Sequence, residues 1–240
     1  MSSALPDPAA PRARTLLYYL ATSGYDQAER RRRLDALAPF LPSGFRLEFV
    51  TAAEGPAYLD RAADFAAATR AAQAGVEALG PEQGEVIVLG GALDLGLAEL
   101  RARARLPVIG PGETALFVAA LYRRPFVLLV QDDAALEAGH RLVAQTPVKP
   151  AVVHVHSLGL PVRVLVADPE RGRQALWSAA RAALEAYPGA ALLLGSMSLP
   201  TLGLTDDLRA QLGVPVLDPL RLALRLAAET AEAAARAGGT

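Results

Sequence analysis

The chain has 240 residues, enough for one large domain or two small ones with real cores, and 52% of them are hydrophobic while 20% are charged, which sets it apart from disordered sequences. Twenty-four basic side chains against 25 acidic ones leave a net charge of −1, so no global field draws the protein to nucleic acid or anionic lipid. Cysteine is absent, which excludes disulfides, thiolate metal ligands and thiol chemistry.

In chain order, MSSALPDPAAPRAR lacks an apolar core and is read as a leader, disordered over residues 1–13, rather than a secretory signal. TLLYYLA (15–21) is a first buried strand closed by Thr22-Ser23-Gly24, and DQAERRRRLDALAPFL follows as a helix with Asp26 at its N-cap. The basic cluster within it, ERRRRLDAL (29–37), is read as a solvated helix face and not a nucleic-acid contact. FRLEFVTA (45–52) alternates as a second strand, a long helix runs from about Leu59 to Leu79, and VIVLGG (86–91) is a third strand of the buried parallel kind. LGLAELRARA is the next helix and LPVIG a further strand step, after which Pro111-Gly112-Glu113-Thr114 opens a helix with Glu113 in its first turn. FVLLVQ, a helix around 134–145, PAVVHVHSL, VRVLVAD, a helix at 169–187 and ALLLGS continue the alternation, with VRVLVAD standing among the strands, and a helix from about Pro219 to Ala237 ends the chain.

The longest apolar runs are strand-length, so no membrane span or membrane partner is expected, and the location is expected to be cytoplasmic. The absence of asparagine, the single lysine (Lys149) and the abundance of Ala, Arg and Leu fit a GC-rich bacterial genome.

Residues 86–109 and 192–217 say nearly the same thing. Each is an apolar run, Leu-Gly and a small residue (Gly91, then Ser196), a Leu-Gly-Leu step, an Arg-bearing helix and Pro-Val. The copies are too far apart for a solenoid and imply a duplicated α/β half. The expected fold is therefore α/β: two pseudo-symmetric lobes, each a parallel sheet flanked by helices, with a cleft between them. Lobe 1 takes 14–110 plus 216–240, and lobe 2 takes 111–215. Ligands of such sheets bind beyond the C-terminal strand ends, where Thr22-Ser23, Gly90-Gly91 and Gly195-Ser196 fall.

Four stretches, TLLYYLATS, VIVLGGALDLGL, LPVIGPGETAL and ALLLGSMS, with VHSLGLPV between them, resemble the aspartate/glutamate/hydantoin racemase superfamily, closest to its hydantoin racemase branch. The resemblance covers most of 14–230. It implies a cofactor-independent protein acting on a small carboxylate or amide, in which two cysteines facing each other across a cleft would move the Cα proton. Family members that decarboxylate malonates keep only the second cysteine and carry glycine at the first position. Here the two positions fall on Gly91 and Ser196, and Thr22, Ser23, Asp94 and Gly96 are what survives of the flanking motifs. A two-thiol mechanism is thereby excluded; an unassisted serine hydroxyl is too weak an acid to replace it.

The candidate substrate-binding residues are Thr22, Ser23, Gly90, Gly91, Gly195, Ser196, Met197 and Ser198, and Ser196 is the one catalytic candidate. Ser196 either donates to a ligand carboxylate or fits a tight turn. Thr22 and Ser23 either cap a helix or bind a carboxylate. The amides of Gly90 and Gly91, next to a helix expected to start near Leu95, offer an anion site. Ser198 and Thr201 add hydroxyls in the longer second loop, and Tyr18 or Tyr19 walls the cleft or packs the core. Glu113 is read as a first-turn charge rather than a base, His154 and His156 as sheet-edge residues rather than a metal pair, and His140 carries no role. No metal or cofactor is expected. The partners are a small ligand and, left open, a second copy of the chain. The alternative to an isomerase or lyase is a catalytically inactive small-ligand-binding homologue. A polar constellation with a base near Ser196 would favour the enzyme, and an apolar cleft the binder.

Overall fold

In the computed structural model, residues 13–148 and 151–238 are described. The expected leader lies outside them except for Ala13, and so does Lys149.

The first half runs β1 (Arg14–Leu20), α1 (Gln27–Leu37), β2 (Phe45–Thr51), α2 (Ala62–Val76), β3 (Val86–Leu89), α3 (Leu97–Arg103) and β4 (Val108–Ile109). Its four strands form one sheet in the order β2-β1-β3-β4, all neighbours parallel. The second half runs α4 (Pro111–Ala120), β5 (Phe126–Val130), α5 (Leu136–Gln145), β6 (Val152–Ser157), α6 (Val162–Ala167), α7 (Pro169–Ala186), β7 (Ala191–Leu194), α8 (Thr205–Leu212), β8 (Val216–Leu217) and α9 (Pro219–Gly238). Its sheet has the matching order β6-β5-β7-β8, also parallel.

Both sheets are covered on both faces, as parallel sheets must be, which is why β3, β5 and β7 are unbroken apolar runs and β1 is one from Leu16 onward. Strand alternation sends Leu16, Tyr18, Val86 and Val88 to one face, against Leu220, Ala223, Leu224 and Ala227 of α9. Leu17, Tyr19, Ile87 and Leu89 go to the other, against Ala72 and Val76 of α2 and Leu100 of α3. In the second sheet Phe126, Leu128, Ala191 and Leu193 meet Ala115, Leu116 and Ala119 of α4. Val127, Leu129, Leu192 and Leu194 meet α6, α7 and α8 through Leu165, Leu176, Ala180 and Leu208.

The halves are exchanged at their ends. Helix α4 follows the first sheet in the chain yet packs on the second, and α9 follows the second yet packs on the first, the two crossing against each other. The second sheet claims Val216 and Leu217, so the chain crosses back at Asp218.

The repeat in the sequence is a repeat of hydrogen bonds. Arg101 Nε donates to Val108 O at 3.1 Å, and Arg209 Nε donates to Val216 O at 2.9 Å. The amide of Gly90 donates to Tyr19 O and that of Gly195 to Leu129 O, both at 2.6 Å. Where the copies differ is the helix cap. Asp218 caps α9 directly, its Oδ1 accepting from the amides of Leu220 and Arg221 at 3.0 Å each. The matching residue before α4 is Gly110, and Asp94 reaches in from the preceding loop to accept from Gly112 at 3.0 Å and Glu113 at 2.5 Å. A Cβ on Gly110 would stand 2.6 Å from Asp94 Oδ2, so the glycine makes room for the borrowed cap.

Two expectations are corrected. VRVLVAD is not a strand: Val162–Ala167 is α6, opened by Pro161 and packed on α7. Its β-branched residues favour a strand locally, but Val162 and Leu165 are buried at helical spacing and tertiary packing decides. The run 29–37 is not simply a solvated face, because Arg33 is 1% exposed and Glu29 is 7% exposed.

Candidate functional site

The C-terminal ends of β1, β3, β5 and β7 converge on a narrow cavity of about 70 Å³ between the two sheets. Thr22 reaches it from the loop after β1, and Gly90, Gly91, Ala92, Leu93 and Leu95 from the loop after β3. Gln131 lines it at the end of β5, and Gly195, Ser196, Met197 and Ser198 line it after β7. Tyr19, Tyr25, Leu59 and Val162 are also part of the wall, whose remaining lining is apolar. Gly91 and Ser196 thus border one shared space.

Seven of the eight substrate-binding candidates line this cavity. Ser23 does not: it is exposed, its Oγ donates to Gly55 O at 3.2 Å and its amide to Pro56 O at 3.0 Å. The amide anion site expected at Gly90 and Gly91 is half occupied, since Gly90 N–H is spent on Tyr19 O. Helix α3 starts at Leu97 rather than near Leu95, because Asp94 and Gly96 turn the loop through positive φ (49° and 70°).

At Gly91 the wall is simply missing. A Cβ there would meet nothing within 4 Å, and the backbone is not in the left-handed region, so a Cβ is accommodated without strain. Ser196 is buried at 8% exposure, and its Oγ accepts from Ser198 N–H at a long 3.4 Å. Among the described residues, no Asp, Glu, His, Lys or Arg side chain lines the cavity. Its polar lining is hydroxyl and amide: Thr22 Oγ1 and Gln131 Oε1 are both buried and, among the described residues, both without a hydrogen-bond partner. Unpaired buried polar atoms cost free energy, and such groups gathered at one cavity are what a ligand would satisfy.

The ionisable groups stand just behind this wall. Asp94 is buried, and burial pushes its carboxyl up to about 7 against the opposing pull of the two amides it caps. Asp132, next to Gln131, is raised to about 6, chiefly by burial, with Asp60 and Asp133 adding to it. Its Oδ1 caps the following turn through Ala135 N–H at 3.1 Å. Neither borders the cavity. Tyr19 does, with its hydroxyl donating to Ala72 O at 3.2 Å, while Tyr18 lies deeper, its hydroxyl unpaired and raised to about 12 by burial.

Glu113 pairs with Arg101 at 2.6 Å, away from the cavity. His154 and His156 sit on β6, at the edge of the second sheet, and His154 stacks on Tyr187 at 5.2 Å. Among the described residues no group of three or more His, Cys, Asp or Glu side chains could hold a metal ion. No helix among them is long and apolar enough to cross a membrane. Sequence reading missed Gln131; the signal was available, since Gln131 is the first polar residue after the all-apolar strand FVLLV, at its C-terminal end and ahead of Asp132 and Asp133.

Comparison with known proteins now places the chain. The family model described as Asp/Glu/hydantoin racemase matches residues 31–227, and the chain belongs to this family. A hydantoin racemase from Paenarthrobacter aurescens is 26% identical over 196 residues, 80% of this chain and 81% of that protein. The fold is that of the allantoin racemases from Klebsiella pneumoniae (TM-score 0.79, 22% identity, 90% of this chain and 86% of that one) and Pseudomonas fluorescens (TM-score 0.78, 18% identity, 93% and 92%). A doubly substituted arylmalonate decarboxylase in its liganded form also shares it (TM-score 0.67, 19% identity, 91% and 92%).

Proposed function

We propose that this chain binds a small amide or carboxylate, of the kind its hydantoin and allantoin racemase relatives are named for, in the cavity between Gly91 and Ser196, and that it is the non-racemising member of the two readings. The observation that carries this is the pairing of unsatisfied Thr22 Oγ1 and Gln131 Oε1 with a wall that, among the described residues, holds no carboxylate, imidazole, ammonium or guanidinium group. Recognition groups line the cavity; the two carboxyls raised toward neutrality, Asp94 and Asp132, lie outside its lining. Ser196 Oγ has Ser198 N–H as its neighbour rather than a base, which leaves its hydroxyl unactivated. Two-thiol exchange is closed to a sequence without cysteine. The reading asks for no cofactor.

Thermal unfolding with a panel of hydantoins, allantoin, amino acids and malonates tests it. A true ligand at one hundred times its Kd raises the midpoint by roughly 5–10 °C for a chain of this size. Gly91→Leu, which places a side chain into the open space at that position, should fold normally and lose the response. A panel with no stabilising member, or a response untouched by Gly91→Leu, would remove the cavity from the account.

A further inference from the structure

The basic run of α1 is aimed at the second loop. Arg32 Nη1 donates to Thr201 O at 2.7 Å and Arg33 Nη2 to Ser198 Oγ at 3.0 Å. Arg33 is 1% exposed; its Nε pairs with Glu29 Oε1 at 2.7 Å and its guanidinium lies over the Tyr25 ring, 4.3 Å from the centroid. Its Nη1 has no hydrogen-bond partner among the described residues. Tyr25 and Ser198 line the cavity and Arg33 does not, so a guanidinium sits one side chain behind the wall. A serine hydroxyl has a single hydrogen. Because Ser198 Oγ accepts from Arg33, that hydrogen is directed away from the guanidinium, and the neighbouring charge strengthens it as a donor.

We infer that Arg33 is a positioning residue that commits Ser198 to donate into the cavity, making the second loop selective for a ligand with a carbonyl or carboxylate oxygen at that point. The inference rests on the cavity being the ligand site proposed above. It would explain why α1 buries an arginine at all: a charge in the core is costly to keep, and it is held here by Glu29, Tyr25 and the loop it orients.

Calorimetric titration with hydantoin and with 2-imidazolidinone, the same ring lacking one carbonyl, reads the selectivity directly. The unaltered protein should prefer hydantoin by about tenfold, the upper end of what one neutral hydrogen bond contributes. Ser198→Ala and Arg33→Met should each erase most of that preference, and the double variant should lose no more than either alone, whereas Ser198→Thr should keep it. Should Arg33→Met fail to fold by near-ultraviolet circular dichroism, Arg33→Lys serves. Its single ammonium stays with Glu29 and releases Ser198, so the preference should fall likewise. A preference that survives loss of Arg33, or losses that simply add, would overturn the inference while leaving the ligand site standing. An unaltered protein that binds neither these probes nor any of the panel would overturn both.

Discussion

Replacing Asp94 with asparagine should change how stability depends on pH, and the structure sets the size of the effect. Asp94 is 8% exposed, at φ 49°, with both carboxylate oxygens turned to the amides that open α4. Burial is the largest influence on it and raises its acid constant from 3.8 to about 7. A carboxyl whose folded value is raised binds more protons in the native state than in the unfolded one across that window. Its contribution to stability is therefore fully present below about pH 4 and lost as pH climbs to about 7. Three units correspond to an upper bound of about 4 kcal/mol. Asparagine tolerates the left-handed backbone and matches the shape, but it does not titrate, and turning its amide NH₂ toward one of the two capped N–H groups costs about 1–3 kcal/mol at every pH. Urea unfolding across this range should show Asp94→Asn less stable than the parent in acid, with the gap closing or reversing near pH 8. A difference that stays flat, or grows with pH, would mean that the amides of α4 hold Asp94 ionised and that burial does not dominate.

Other perturbations separate packing from recognition. Gly110→Ala should destabilise by about 1–3 kcal/mol, because its Cβ would stand 2.5 Å from Leu97 Cδ2 and 2.6 Å from Asp94 Oδ2; Gly91→Ala, facing open space, should stay within about 0.5 kcal/mol by the same unfolding assay. Thr22→Val replaces an unpaired buried hydroxyl with a methyl of the same shape, so it should stabilise the free protein by about 1 kcal/mol and shrink the ligand-induced thermal shift. Gly91→Cys combined with Ser196→Cys should fold, and should gain Cα-proton exchange on a bound hydantoin, detected as deuterium uptake, where the parent has none.

Much of the frame was legible because it follows from periodicity. The buried parallel strands β1, β3, β5 and β7 announce themselves as apolar runs ending in Gly or a polar residue, and the Arg-to-Pro-Val spacing of the two copies marks a shared hydrogen-bond plan. What stayed hidden depends on partners distant in sequence. Nothing local separates Arg33 from Arg31; only the fold brings Tyr25 and Ser198 to one of them and solvent to the other. The borrowed cap was equally silent, since Asp94 and the helix it caps are 18 and 19 residues apart in the chain. In α6 a valine-rich stretch that reads as a strand is held as a helix by its packing on α7.

The central claim is recognition without proton exchange, and proton NMR of one sample in D₂O tests both parts together. With a stabilising hydantoin in excess, saturation transfer from protein to ligand should be seen while the ligand's Cα-proton signal keeps its full intensity beyond the rate of a protein-free control. Catalysed loss of that signal by the cysteine-free chain would contradict the account and return the cavity to the enzymes of its family.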